Sequence, residues 1–569
     1  MNARPGRRPA ARDAGRDAGR DASRDAHRDA HRDAHAGHDS NLGLPGVMTA
    51  LVWATSLFLL HAAALRHFLI DDAFIVYRVA HHFASGLGPV FNPGERVESF
   101  TDPLYTFLLA PFAALTSGTD ALPALARMIG VIAGAGSLVV LATVPLPGRA
   151  ATTALALLLC AVSTSMTAWS VGGLETSLYG LLIVSAFSVT LRRPASAPAQ
   201  VGLGLLLAAV MLSRPDGVLP AAALLVWRWI DPAMRTDRSA HLRIALAALL
   251  PALAYLAFRR LYFGEWVPNT YFAKHAPLAL AVPNGFAYLG DFLSRNGTAV
   301  FYAPALLALR HSRREPVIAL AALVLAAYLP YVVVVGGDWM DAHRFVAPVI
   351  PLVSLLVAAG WVSLFGWIHE RFAERGGARL AAAVVPAGSL LVTAVFVAAN
   401  VANTRRVRDM PYVNATPYYA TMGRLVDAIA QPHWTVAADD IGAIGWYGRI
   451  RVLDLLGLAN PDMAHRRTTP QKLVADHVPG ILILHYDDSR APRSRWRTLS
   501  IADFDSLYVR PRGPVPLPGS LRVSRRVLPW VEARLAELPA SLDTDLVRLD
   551  AYLERHQPDM RPLPAGVAP

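Results

Sequence analysis

Apolar runs recur along this chain from residue 44 to residue 402, each about 14 to 24 residues long. A run of that length, wound as a helix, crosses roughly 30 Å of hydrocarbon. Backbone amides inside a bilayer have no water to bond, so such runs must be helices that satisfy themselves. The pattern predicts helices near 47–66, 126–144, 151–168, 173–190, 199–213, 218–230, 241–258, 297–310, 316–336, 345–366 and 380–402. Composition agrees. Of 569 residues 54% are hydrophobic and 17% are charged, against roughly 25% charged in an average soluble domain. The fold class expected is a polytopic α-helical membrane protein with about eleven spans.

Basic residues choose the sides of such a protein, because cytoplasmic loops carry an excess of Lys and Arg. Arg192 and Arg193 share one short loop, and Arg235, Arg238 and Arg243 another. Arg310, Arg313 and Arg314 mark a third, and Arg371, Arg375 and Arg379 a fourth. Placing all four in the cytoplasm is self-consistent. It puts 172–175, 214–217, 260–283, 336–344 and everything after 402 on the opposite side. The segment 104–115 is apolar but short, and Pro103 and Pro111 interrupt it. It reads as an interfacial or re-entrant helix inside one long outer loop, 67–125. The N-terminus is then cytoplasmic.

The expected organisation has three parts. Residues 1–43 repeat R-D-A-x six times between 12 and 35 and offer almost no apolar surface to bury, so a disordered cytoplasmic tail is expected. It shows no signal-peptide core. Residues 44–402 form the membrane part. Residues 403–569 change character: "WTVAADDIGAIGWYG", "RVLDLLGL" and "GILILHYDD" read as short strands with turns, an α/β domain on the outer face. "LPWVEARLAELPASLDTDLVRLDAYLERH" has helical spacing. Net charge is +12, with an isoelectric point near 10.0. The positive-inside bias and a basic tail domain account for it. No basic stripe with interleaved aromatics points to nucleic acid. The single cysteine, Cys160, excludes an intrachain disulfide.

Polar residues at the outer helix ends come in five clusters. The first holds Asp71, Asp72, Tyr77, Arg78, His81 and His82, followed by "FNPGERVESFTDPLY". The others are "GGLETSLYG" with Glu175, "SRPDG" with Arg214 and Asp216, "RRLYFGEWVPNTYFAK" with Glu265, Trp266, Asn269 and Lys274, and "GGDWMDAHRF" with Asp338, Asp341, His343 and Arg344. A charge near the bilayer is costly unless it is paired or faces a watery cavity. Five clusters on one face therefore predict a shared polar cavity. Carboxylates beside Arg and Lys suit a phosphate-bearing substrate. Blander readings exist for each: Asp71 and Asp72 as helix caps, "SRPDG" as a turn, Trp266 and its neighbours as an interfacial belt. His81 and His82 read as interface residues, with no metal-ligand set. No phosphate-cradling nucleotide motif is present, so a transfer reaction would need a preactivated, lipid-linked donor.

Taken in order, "DDAFIVYRVAHHFASGLGPVFNPGERVESFTDPLY", "GGLETSLYGLL", "RPDG", "YFGEWVPNTYFAK", "GGDWMDAHRF" and "DDIGAIGWYG…VLDLLGL" resemble the multi-spanning GT-C glycosyltransferases. Within them the chain is most similar to the mycobacterial terminal β-(1→2)-arabinofuranosyltransferase family and its bacterial relatives, over residues 45–465. The resemblance implies a GT-C fold in the bacterial cytoplasmic membrane, a polyprenyl-phosphate sugar donor and a cell-envelope glycan or glycolipid acceptor. It implies that Asp71 and Asp72 are the catalytic acidic pair and that Lys274, Arg344 and Arg214 hold the donor phosphate. Tyr77, Arg78, Glu175, Glu265, Trp266, Asn269, Asp338 and His343 are candidates for substrate contact. A divalent cation is left open, as are retention or inversion. Two alternatives stand: a hexosyl- or aminosugar-transferase acting on lipopolysaccharide or another envelope glycolipid, and a lipid-linked sugar transporter or flippase. The latter would favour inverted repeats and mid-membrane charge, and neither is found.

Overall fold

The computed structural model describes most of residues 44–546, leaving out 117, 147–148, 376, 411–414, 484–506, 510, 513–520, 539–541 and 543–544, as well as 1–43 and 547–569. The repeat tail, most of "GILILHYDD" and the end of the last helical stretch therefore lie outside the described residues.

The membrane part is almost entirely helical. Its elements are α1 (Leu44–Ala64), α2 (Asp71–Ala84), α3 (Pro103–Ala113), α4 (Ala121–Ala142), α5 (Arg149–Val162), α6 (Thr164–Val171), α7 (Thr176–Leu191), α8 (Ala197–Ser213), α9 (Val218–Ile230), α10 (Arg238–Tyr262), α11 (Asn269–Lys274), α12 (Leu278–Arg295), α13 (Ala299–Tyr302), α14 (Ala305–Ala308), α15 (Pro316–Val334), α16 (Ile350–Glu374) and α17 (Ala378–Arg408). Among the described residues six helices are long and apolar enough to cross a membrane, or seven if α5 and α6, bent by 54° at Ser163, count as one span. The chain is a multi-pass membrane protein. Helices α7 and α8 are apolar but only 16 and 17 residues long, and α9 has 13.

Two departures from the sequence pattern have physical causes. The stretch 297–310 is no continuous helix. Gly297 and Thr298 take positive φ values of 135° and 73°. Pro304 then interrupts the remainder, leaving α13, α14 and a 3₁₀ turn (Leu309–His311). The second departure is α12, eighteen residues that the hydropathy pattern passes over because Pro283, Asp291 and Arg295 interrupt it. It buries Ala281, Gly285 and Phe292 and leaves Leu278, Leu280 and Phe286 exposed. Gly285 has no room for a β-carbon, which would stand 2.2 Å from the Val333 carbonyl oxygen. Helix α12 thus lies tight against the end of α15 and the 336–345 loop.

The segment 103–113 is a helix of eleven residues, with Pro103 at its start and Pro111 inside. It packs on α2, and its length is well short of a membrane crossing.

The C-terminal α/β part contains α18 (Ala415–Ile429), β1 (Thr435–Ala438), α19 (Gly442–Gly448), β2 (Arg451–Asp454), α20 (Pro461–Ala464), α21 (Pro470–His477), β3 (Ile481–Ile483), β4 (Tyr508–Val509), β5 (Leu521–Ser524) and α22 (Leu528–Leu535). The sheet order is β2-β1-β3-β5-β4. Strand β1 runs parallel to β2 and β3, pairing Thr435 with Arg451 and Val436 with Ile481, while β5 is antiparallel to β3 and β4. Short runs of Val, Ile, Leu and Ala suit such a central strand because both faces are buried. One apolar core joins this sheet to α2, α3 and the start of α4: Phe74, Tyr77, Tyr105, Tyr418, Trp446 and Ile481 belong to a single buried cluster.

Candidate active site

Helix α2 begins at the first aspartate, with Ile70 as its N-cap. Successive residues point about 100° apart around a helix, so Asp71 and Asp72 face different surroundings. Asp71 is 2% exposed. Its Oδ2 accepts from the Gly442 amide and its Oδ1 from the Ala443 amide, both at 2.8 Å. Only glycine fits at 442, because a β-carbon would stand 2.0 Å from the Asp71 carbonyl oxygen. Burial pushes the Asp71 carboxyl up to about 7. The two amides pull against that and Asp72 adds to it. Asp72 is half-buried and accepts from Lys274 Nζ at 3.3 Å. Lys274 sits in the last turn of α11, where a cation complements the helix dipole.

The second wall is the 336–345 loop. Ala342 and His343 hold positive φ values of 56° and 51°, a conformation costly for side-chain-bearing residues. The Trp169 indole N–H donates to the Ala342 carbonyl at 3.0 Å and fixes it. Arg344 Nε lies 2.6 Å from Asp338 Oδ2, yet the angle is not that of a hydrogen bond and Nε has no acceptor. The guanidinium stands over the rings of Trp169 and Phe345. Burial opposes its charge, but Asp338, Glu175 and Asp72 outweigh burial and the nearby Arg214, holding the group above its usual range. Arg344 is therefore the point where the first, second, third and fifth polar clusters meet.

His343 is buried between Asp291 on α12 (3.0 Å) and Ser165 (3.5 Å). Burial, only partly opposed by Asp291, lowers it to about 4, so it is neutral at pH 7. The folded state binds fewer protons than the unfolded chain between about pH 6.5 and pH 4, and stability falls as pH drops through that window. His343→Gln should flatten the decline of melting temperature between pH 6.5 and 4, read in detergent by intrinsic fluorescence.

Arg214 is placed differently from a free phosphate ligand. Its Nη1 donates to Glu175 Oε1 at 2.6 Å and its Nε to Asp216 Oδ1 at 2.9 Å. Asp216 Oδ2 accepts from Tyr328 at 2.8 Å. All three charged groups are buried. Close by, Asp102 is 1% exposed with Oδ2 unbonded. Burial first, then Glu175, raises its carboxyl, while Arg214 opposes.

The remaining candidates hold the framework. Tyr77 donates to the Gly173 carbonyl at 2.8 Å. Arg78 donates to the carbonyls of Phe91 (2.7 Å), Gly445 and Ile450 (2.6 Å), so all its edges are taken by backbone. Asn269 donates to Gly457 (2.8 Å) and Leu458 (3.0 Å). Glu265 lies 3.8 Å from His465. Trp266 is exposed, under the Arg260 guanidinium. His81 and His82 bond the carbonyls of Ala113 and Val90. Among the described residues no group of three or more His, Cys, Asp or Glu is arranged to hold a metal ion.

Sequence reasoning passed over Glu98. Glu98 binds Arg259 through both oxygens (2.6 and 3.0 Å) and accepts from Tyr255 at 2.6 Å, tying the first loop to α10. The "ES" before "FTDP" carried no spacing signal for a partner 161 residues away.

Residues 404–521 match a family described as a domain of unknown function, DUF8728. The chain is 29% identical to the terminal beta-(1->2)-arabinofuranosyltransferase of Mycobacterium tuberculosis over 334 residues, 51% of this chain and 52% of that one. It is 27% identical to the enzyme of the same name from Corynebacterium glutamicum over 356 residues, 54% and 51% of the two chains. The chain thus spans about half the length of these curated relatives. The crystal structure of ArnT from Cupriavidus metallidurans in the apo state superimposes with a TM-score of 0.53 at 14% identity, covering 81% of this chain and 96% of that one. At that identity the likeness is one of fold.

Proposed function

We propose that this chain, which has the fold of the GT-C membrane glycosyltransferases, moves a sugar from a polyprenyl-phosphate donor to a cell-envelope glycan at the outer face of the bacterial cytoplasmic membrane. The sugar is arabinofuranose or a close relative, by similarity to the two curated arabinofuranosyltransferases. The observation that carries the reading is one half-buried carboxylate, Asp72, held by a loosely paired lysine, Lys274, and lying in the field of a buried guanidinium, Arg344, that is ion-paired with Asp338.

In this scheme Asp72 takes the proton of the acceptor hydroxyl as its oxygen bonds to the anomeric carbon. The bond from that carbon to the phosphate oxygen breaks, and the electron pair leaves with the polyprenyl phosphate. Lys274 neutralises the departing phosphate. Its pair with Asp72 is long and the lysine side chain is 38% exposed. An exposed pair is worth about 0–1 kcal/mol, so a phosphate can draw the ammonium away while leaving Asp72 free to act as base. Arg344 supplies fixed positive charge on the other side. Arg214 does not join them. Its two carboxylate partners are buried, and opening such a pair costs about 3–5 kcal/mol. Asp71 acts through Asp72 as a positioning residue, because both its oxygens are engaged by backbone amides. The outer ends of the apolar helices beside these residues would receive the prenyl chain.

The test is transfer of radiolabelled sugar from a polyprenyl-phosphoryl donor to arabinan oligosaccharide by the purified protein in detergent. Lys274→Met should raise the donor KM by about tenfold, the worth of one charge-assisted contact, with the acceptor KM unchanged. No transfer by the wild-type chain from any polyprenyl-phosphoryl pentose or hexose would remove the reading.

A further inference from the structure

Outer helix ends are ordinarily poor in Lys and Arg, which concentrate in cytoplasmic loops. Two helix ends on the active-site face of this chain break that pattern. Helix α1 runs out into Arg66 and His67, and the last turn of α17 carries Arg405, Arg406 and Arg408. The two ends are neighbours. His61 Nε2 bonds the Thr404 hydroxyl at 2.8 Å and joins α1 to α17. Arg66 follows His61 by little more than one turn, and Arg405 and Arg406 follow Thr404 directly. Arg406 also acts on Asp341 in the 336–345 loop, whose carboxyl burial raises and Arg406 lowers.

Below these cations both helices present an apolar surface. Leu59 and Leu60 are exposed on α1, and Val395 and Val401 on α17. Residues four apart share a helix face, so Arg405 stands directly above Val401. The exposed surface thus changes from apolar to cationic within about one turn, roughly 5 Å. That is the depth at which acyl chains give way to headgroups. The cations are not consumed by the protein itself. Arg408 pairs with Asp409 at 2.9 Å, but the side chains of Arg405 and Arg406 have no ion-pair or hydrogen-bond partner among the described residues. Arg66 donates only to the Ala63 carbonyl, at 3.5 Å. Arg127 on α4 adds to the positive field. Burial first, then Arg66 and Arg127, lowers the His67 imidazole, and the buried Arg127 Nε has no acceptor.

We propose that the outer ends of α1 and α17 bind the headgroup of an anionic phospholipid of the surrounding leaflet. Its phosphate sits on Arg66, Arg405 and Arg406, which suit phosphate oxygens, and its acyl chains lie along Leu60 and Val401. Basic side chains at a helix end beside the bilayer attract anionic lipid in this way. The site is separate from Lys274 and Arg344 and does not depend on the transfer reaction. Helix α17 leads towards α18, so the lipid braces the joint between the membrane part and the C-terminal part.

The experiment melts the full chain in a neutral detergent with added phosphatidylglycerol or phosphatidylcholine of the same acyl chains. Phosphatidylglycerol should raise the melting temperature at a mole fraction about tenfold or more below that needed with phosphatidylcholine, given about fivefold for each engaged cation. The triple variant Arg66→Gln, Arg405→Gln, Arg406→Gln should lose this difference. The triple variant Arg310→Gln, Arg313→Gln, Arg314→Gln, on the opposite face, should keep it. Equal responses to the two lipids in the wild type overturn the site. So does a wild-type difference in the first variant, or its loss in the second. Another measurement needs no variant. Phosphatidylglycerol with a photoreactive headgroup, in phosphatidylcholine vesicles, should label residues 59–68 and 395–408 of the wild-type chain, and inorganic phosphate should not displace it. Labelling absent from both segments, or displaced by inorganic phosphate, overturns the lipid assignment.

Discussion

Asp72→Asn should lower the turnover of sugar transfer by about 10²- to 10⁴-fold, the range set by loss of a positioned general base. The substitution is nearly isosteric, and the Asp72 side chain is tied to its surroundings by the loosely held Lys274. Folding and donor affinity should therefore persist. Asp71→Asn should behave in the opposite way. An asparagine can accept from one of the Gly442 and Ala443 amides but turns its own N–H₂ toward the other. The expected result is a lowered melting temperature and a smaller loss of turnover, with residual activity scaling with the folded fraction. Radiometric transfer and thermal melts on the two variants separate the roles. Equal loss of turnover in both, with unchanged melts, would mean that the two carboxylates act together on the substrate. Full activity in Asp72→Asn would remove the base.

Arg214→Met should be the most damaging single change to stability. It strands Glu175 and Asp216, both buried, without their shared cation. Removing one partner of a buried ion pair costs about 3–5 kcal/mol. The triple replacement Glu175→Gln, Arg214→Met, Asp216→Asn should recover much of that loss, since no unpaired charge remains buried. Melting temperatures of the single and triple variants in the same detergent read the difference. If Arg214→Met melts like the wild type, the triad is not the structural unit the geometry describes.

Much of the fold could be read from residue order. Ten of the eleven apolar runs are helical, one of them, 151–168, as two helices bent at Ser163, because hydropathy and helical self-satisfaction are local properties. The exception, 297–310, turns on Gly297, Thr298 and Pro304, whose backbone preferences override an apolar composition. Helix α12 escaped notice because its buried stripe is narrow and its end carries Asp291 and Arg295. The five polar clusters were likewise legible, and the structure brings residues of all five into one region. What could not be read was the role of each member. Arg78 looked like a substrate ligand, yet its guanidinium is wholly engaged by carbonyls, two of them more than 360 residues distant. Arg214 looked like a phosphate ligand and is locked between two acids.

Residue order alone therefore determined a membrane-embedded helical chain with carboxylates and cations gathered at helix ends. Tertiary structure alone decided that Asp71 is sealed against Gly442 and Ala443 while Asp72 stays half-buried beside Lys274. The reason is geometric. Hydropathy sums over neighbours in sequence, whereas a charged group's availability depends on which distant backbone and side-chain groups fold onto it. Two adjacent aspartates look identical in sequence, and only the packing of a segment some 370 residues away, at Gly442, distinguishes them.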